Sequence, residues 1–345
     1  MRGFVFFLGT PSPDDRSPAD TYRSIIEEAV LAEELGYYGV WVAEHHFVPN
    51  YSVIANPMML AVAIARATRR IRIGAASIVI PLHNPVRAAE DIEMADWLCD
   101  GRIEVAFARG DHPYEYEALG IDYGKTHQSF AQGLDDICRV LRRDRSRRAT
   151  PSGVPLMAMP RTLQDPHPPL WLTAGSAGSI GMALDHRLNV AFSAGADARA
   201  RLPQMRRAFE EECARRSLAP AEQRLGLLCS VALAESDEEK SRVTRAVEFI
   251  STMAGTLREG HNSDPATLIR AQVDAEKLFA GHPVGDHAHI AAQFDWYRHN
   301  GVTDLILMFP RTYEATRIRE SMRAVAPLLA DTVAKAAPVA QRALA

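Results

Sequence analysis

The chain has 345 residues, a formal net charge of −4 at pH 7, 47% hydrophobic and 24% charged residues, a globular composition with ample length for a large core. That excludes a disordered, collagen-like or disulfide-stapled chain, and the lack of any basic surplus argues against a dedicated nucleic-acid binder and for a small-molecule partner. Of the 39 basic residues only 4 are Lys, a skew that reads as coding bias rather than as a binding device.

Cys99, Cys138, Cys213 and Cys229 are far apart, form no CxxC pair and no cluster with His, so packed, reduced thiols are expected. No apolar run approaches the ~20 residues that span a bilayer. Met1-Arg2-Gly3 leads straight into an apolar stretch without a cleavage signature, and a soluble, cytoplasmic, unprocessed protein is expected.

In chain order, Gly3 to Gly9 reads as a strand and a Pro-rich loop follows. Ser17-Pro18 then opens an amphipathic helix that Gly36 closes. Tyr38 to Ala43 is a nearly all-apolar strand, as parallel sheets covered on both faces require. Helices near Pro57 to Thr68, Pro85 to Asp100 and Thr126 to Arg143 alternate with strands at Ile71 to Ser77 and Arg102 to Ala108. Residues 146 to 169, rich in Pro, break the pattern and read as an excursion with room for a short hairpin. Further strands are expected at Leu170 to Thr173, Leu188 to Ser193, Leu225 to Leu233 and Asp304 to Phe309. Eight strands with intervening helices predict one closed (β/α)8 TIM barrel over residues 1 to 335, followed by a tail at 336 to 345. A doubly wound sheet is the structural alternative, but no GxGxxG follows the first strand. Gly120 to Thr126 imitates a phosphate loop with one residue too few and reads as a turn. Residues 253 to 284, polar and without sustained periodicity, read either as a mobile insertion over the barrel mouth or as a plain surface loop.

Barrel chemistry sits at the carboxyl ends of strands. There the sequence places Glu44-His45-His46, then Ala76-Ser77, Arg109-Gly110-Asp111, Gly175-Ser176-Ala177-Gly178-Ser179 and Ser193. Ser176 is placed to cap a helix whose free N–H groups, with the Ser179 hydroxyl and the Arg109 fork, suit a phosphate. The plain alternative is an ordinary cap and a structural ion pair. Three ionisable groups ending a buried strand are costly unless partnered. Adjacent histidines on extended chain point opposite ways and no further ligand is evident, so no metal is expected. A proton handler or a donor to an oxygen-centred intermediate is the better reading. The segment Ala55 to Ala67 is apolar around its circumference once helical, which points to burial against both the barrel and a second subunit, with a covering segment of the same chain as the plain alternative.

Taken in order, Glu44-His45-His46-Phe47, Asn56-Pro57, Gly74 to Pro81, Asn84 to Asp91, Gly101-Arg102, Arg109-Gly110, His167 to Ala174 with Ser176, and Gly301 to Asp304 resemble the bacterial luciferase-like flavin monooxygenases. The resemblance is dense over residues 1 to about 125. It implies a TIM barrel, usually dimeric, that binds reduced FMN at the strand carboxyl ends and uses O2 to form a flavin C4a-hydroperoxide. It further implies Glu44 beside the flavin and His45, with His46 next to it, assisting the peroxide. Ala76 and Ser77 would back the ring through a non-proline cis peptide, and Arg109, Ser176 and Ser179 would hold the phosphate, with Asp111, Thr173 and Gly175 as cofactor neighbours. Phe47, Tyr51, His112, Tyr114 and Glu115 are expected to shape the substrate pocket. Luciferase itself has a glutamate in place of Gly175 and a cysteine in place of Ala108, so oxygenation of another organic substrate without light emission is expected. No nicotinamide fingerprint is present, and a separate NAD(P)H:flavin reductase is expected to supply FMNH2. The competing readings are an F420-dependent hydride-transfer enzyme and a flavin-binding protein without turnover.

Overall fold

The computed structural model describes residues 1–142, 159–195, 197–259, 272–311 and 314–329. Its strands and helices are β1 (Arg2–Phe7), α1 (Pro18–Glu34), β2 (Gly39–Val42), α2 (Pro57–Ala67), β3 (Arg72–Val79), α3 (Pro85–Leu98), β4 (Ile103–Ala108), α4 (Pro113–Ala118), α5 (Thr126–Leu141), β5 (Leu170–Thr173), α6 (Ala177–Asp185), β6 (Asn189–Ser193), α7 (Ala198–Arg215), β7 (Leu225–Ser230), β8 (Ala232–Leu233), α8 (Asp237–Arg258), α9 (Ala275–Gly281), β9 (Val284–Gly285), α10 (His287–His299), β10 (Asp304–Met308) and α11 (Ala315–Val325). Eight parallel strands close in the order β1-β10-β7-β6-β5-β4-β3-β2, while β8 and β9 pair as a separate ribbon. The chain is a TIM barrel.

Local chemistry starts and stops these elements as the sequence suggests. Ser17, Asn56 and Asn84 cap α1, α2 and α3 through their side chains, each followed by proline at the first helical position. Gly36, with φ 81, ends α1 in the left-handed region that glycine enters without a Cβ clash. Inside the barrel, Phe4, Trp41, Ala76, Ala106, Trp171, Ala191 and Ile306 form one layer; the larger core lies between the strands and the outer helices. The amino ends of the strands are closed by charge. Asp304 accepts from Arg2 and Arg224, while Glu104 accepts from Arg72, Arg224 and the Trp171 Nε1–H. All four cysteines are buried and free.

Two expectations need correction. The seventh strand does not run unbroken from Leu225 to Leu233: it stops at Ser230, and Ala232–Leu233 turns away to pair with Val284–Gly285. Much of 253 to 284 is regular rather than loop. Helix α8 continues to Arg258, and its Met253 and Leu257 pack with Leu8, Ala43, Val48 and Tyr51. The i, i+3, i+4, i+7 series Ile250, Met253, Ala254, Leu257 is a helical stripe hidden among Ser251, Thr252, Gly255 and Thr256. Residues 275–281 are helical too, whereas 260–271, the part of the 146–169 excursion that precedes residue 159 and the tail at 336–345 lie outside the described residues.

Candidate active site

Because every barrel strand is parallel, all the strand tips open at one end, and there the structure has a cavity of about 390 Å³. Its floor and walls are largely apolar, from Phe6, Trp41, Ala76, Ala191, Leu228 and Ile306 among others. The polar groups that reach it include Glu44, His45, Ser77, Asp111, His112 and Thr173. Helix α8 supplies the remaining wall through Val247, Ile250, Ser251, Ala254 and Arg258. Arg258 ties that wall to the β4 loop with a 2.8 Å ion pair to Asp111.

Alternation along the extended chain after β2 splits the Glu44-His45-His46 triplet. The Glu44 side chain is buried, and its carboxylate accepts from His46 Nε2 at 3.1 Å, His83 Nε2 at 2.7 Å and the Val79 N–H at 3.0 Å. Burial pushes the Glu44 carboxyl up, but these hydrogen bonds and the charge of His83 outweigh it and hold the group below its ordinary value. Burial likewise favours neutral His83, yet the bond to Glu44 raises its pKa. His83 is a site residue the sequence reading missed: it lies 39 positions away, in a loop after β3, and the parallel pairing of β2 with β3 brings it to Glu44.

His45 turns the other way, into the cavity. Its backbone N–H is held by Ile54 O at 3.0 Å, and its ring lies against Tyr51 and His112, with centroids 4.8 and 5.1 Å away. Its buried Nδ1 faces Glu115 Oε1 at 3.6 Å and has no hydrogen-bond partner among the described residues. Glu115 comes from α4, a single short turn that periodicity does not reveal. Its Oε1 also accepts from the His46 N–H at 2.9 Å and from Tyr114 Oη at 3.2 Å. Burial pushes the Glu115 carboxyl up, but His112, His45 and the His46 N–H prevail and hold it far below the usual carboxylate range. Tyr116 Oη donates to Arg109 O, which fastens α4 beneath the β4 loop; Gly110, with φ 79, fits there because a Cβ would strike Tyr116.

Ala76 and Ser77 are joined by a non-proline cis peptide, and the β3–β4 register skips Ser77. The Ser77 Oγ meets Thr173 Oγ1 at 2.7 Å across the cavity rim. The β5 turn differs from expectation in one respect. Its Gly175 and Ser176 N–H groups are not free, because both donate to Ser179 Oγ at 3.1 Å within a reciprocal cap of α6. Two cationic groups that follow the strands flanking β5 are instead conspicuous, Arg109 just past β4 and Arg201 on α7 after β6. Arg109 makes only long contacts, 3.4 Å to Tyr123 Oη and 3.3 Å to Thr126 Oγ1. Arg201, on the first turn of α7, has a buried Nε without a partner, and its Nη2 lies 4.0 Å from where a Gly175 Cβ would be. A half-buried guanidinium without an anion is costly, so this corner fits a phosphate, and the missing Cβ leaves room for it. Arg201 carried no sequence signal, since nothing in its helix distinguishes it from the five other arginines between Arg199 and Arg216. Phe47, 57% exposed with φ 66, Tyr114, which donates to His46 O at 2.9 Å, and the buried Glu115 are not among the cavity-lining residues, whereas Tyr51 and His112 are.

The sequence profile described as luciferase-like monooxygenase matches residues 1–304. The chain belongs to that family. Among curated relatives of this luciferase-like chain is the oxygenase component of a flavin-dependent trigonelline monooxygenase from Acinetobacter baylyi, 27% identical over 193 residues, 55% of this chain and 53% of that protein. The match therefore spans about half the length of the curated relative. Two solved structures share the luciferase-like fold. Monooxygenase RslO1 from Streptomyces bottropensis superposes with TM-score 0.83 at 22% identity, covering 96% of this chain and 99% of that one. The oxygenating constituent of 3,6-diketocamphane monooxygenase from Pseudomonas putida, a Baeyer-Villiger enzyme in complex with FMN, gives 0.74 at 18%, covering 96% and 98%.

Proposed function

We propose that this chain is the oxygenase of a two-component flavin monooxygenase, taking reduced FMN from a separate NAD(P)H:flavin reductase and using O2 to oxygenate a small organic substrate without emitting light. The observation that carries this reading is the presence, on one barrel rim, of an apolar cavity holding His45 and, past the strands that flank β5, of two arginines lacking acidic partners among the described residues.

Reduced FMN, when bound, supplies the electrons that activate O2. The protein's part is positional and electrostatic. Arg109 and Arg201, with the Ser176 hydroxyl, hold the phosphate. Ala76, Ser77 and Thr173 form the wall beside the ring, and Glu44, fixed by His46, His83 and Val79, supports that wall from below. With Nδ1 facing Glu115, His45 keeps Nε2 for the cavity, where it donates or accepts the proton of the oxygenation. Apolar walls and α8 keep bulk water from the reacting face. The cavity's character favours a substrate with an apolar body. An oxygen electrode and stopped-flow mixing of photoreduced FMNH2 with the protein test the reading: FMNH2-dependent O2 uptake that becomes coupled to product when substrate is added supports it. Reduction of F420 without O2 uptake would favour hydride transfer instead, and tight flavin retention without O2 chemistry would favour a carrier.

The proposed assembly is a homodimer. Met59 on α2 is 73% exposed and Met94 on the neighbouring α3 is 56% exposed, with Leu98 one turn further along α3 also exposed, apolar side chains on the outer helices that suit a subunit contact.

A further inference from the structure

The sequence offered His45 and His46 but no additional ligands for a metal; folding supplies them elsewhere. The donor atoms of His45, His112 and Glu115 lie within 4.8 Å of one another. Glu115 Oε1 is 3.6 Å from His45 Nδ1 and 3.7 Å from His112 Nδ1. Both separations exceed hydrogen-bond reach, and His45 Nδ1 is buried and unpartnered among the described residues. They are instead the spacing of two ligands on one ion: bonds of about 2.1 Å meeting at roughly 110–125° set donor atoms about 3.4–3.7 Å apart. The surroundings are those of a ligand set. His112, buried, turns its other nitrogen, Nε2, toward Asp111 Oδ1 at 3.6 Å, and Glu115 is fixed by the His46 N–H and Tyr114 Oη. Both histidines also border the cavity at the strand tips.

We infer that His45 Nδ1, His112 Nδ1 and Glu115 Oε1 form a binding site for a divalent transition-metal ion of the zinc class, completed by water. Two imidazoles and one carboxylate suit zinc, cobalt and nickel rather than calcium or magnesium. Occupancy withdraws His45 from proton handling, so the ion acts as an inhibitor; this consequence rests on the proposed oxygenase reading, whereas binding itself does not.

The test uses the full chain without an affinity tag and without flavin. Titration with Co2+, followed by its visible ligand-field bands, and competition with Zn2+ are expected to give one equivalent bound. His112→Gln and Glu115→Gln are each expected to weaken Zn2+ binding on the order of a hundredfold, while His299→Gln, on the surface, leaves it unchanged. No uptake by the wild type, or affinities of both variants within twofold of it, would overturn the inference. Should a variant lose its circular dichroism signature, X-ray absorption of the zinc-loaded wild type decides: two imidazole ligands support the site, one or none removes it. In the second stage, with substrate present, Zn2+ is expected to abolish product formation coupled to FMNH2 oxidation and a chelator to restore it. Stoichiometric zinc binding by a metal-free protein that forms no such product keeps the metal site and overturns the oxygenase reading; undiminished product formation at saturating zinc overturns the inhibitory consequence.

Discussion

A histidine does chemistry only where its surroundings decide which nitrogen is free, and His45 illustrates this. Glu115 faces Nδ1, so the cavity receives Nε2. His45→Gln is therefore expected to lower coupled product formation by about 10²-fold or more, while FMN affinity, from fluorescence quenching, stays within threefold. The two arginines act on the other end of the flavin. Charge-assisted hydrogen bonds are each worth about 1.5–3 kcal/mol, so Arg109→Gln and Arg201→Gln are each expected to weaken FMN binding about tenfold or more and to leave riboflavin binding nearly unchanged. Equal losses for both flavins would remove these residues from the phosphate. Arg201 illustrates what reading the chain cannot provide: its significance lies in an absent partner.

Elements are placed by contacts at their ends as much as by their apolar faces. Glu33, in the last turn of α1, accepts the backbone N–H groups of Arg69, Arg70 and Ile71, the last two at 2.5 and 2.8 Å, and so ties α1 to the turn before β3. Burial pushes its carboxyl up, but these three donors win and the pKa falls below the ordinary 4.5. The folded state thus prefers ionised Glu33; its contribution is full above pH 4.5 and is lost as pH falls through the lower folded value. Glu33→Gln is expected to cost about 1 kcal/mol at pH 7, after allowance for solvent screening, and urea unfolding series should show the gap from wild type closing below pH 4.5. At the same scale, α8 converts from expected loop to cavity wall. Its stripe was legible in the sequence, but the interspersed Ser, Thr and Gly lowered the contrast that marks a helix.

Across the whole molecule, the two ends of the barrel are built differently. The closed amino end keeps Asp304 fully buried between Arg2 and Arg224. Breaking such a network strands charge in a low dielectric, and Asp304→Asn is expected to destabilise the fold by about 3–5 kcal/mol in denaturant melts while flavin affinity in the remaining folded protein is unaltered. The outer face of α2 and α3 bears on assembly instead. Paired Met59→Arg and Met94→Arg substitutions are expected to convert a dimer to monomer in sedimentation runs without loss of helicity; an unchanged sedimentation coefficient would place the subunit contact elsewhere. Among the described residues, no helix is long and apolar enough to cross a membrane.

Alternation of apolar strands and capped helices was sufficient to specify a barrel, and Ser17-Pro18, Asn56-Pro57 and Asn84-Pro85 marked helix starts, because these signals are local and act over a few residues. The residues at the strand tips, Glu44, His45, Ser77, Arg109 and Ser176, were likewise legible once the barrel was inferred, since its topology sends every strand end to one rim. What folding alone decided were the partners: His83 for Glu44, Glu115 for His45, Arg201 for the β5 turn, and α8 as the fourth wall. Each pairing joins segments distant in sequence, and the side-by-side parallel pairing of barrel strands, not any local preference, brings them within a few ångströms.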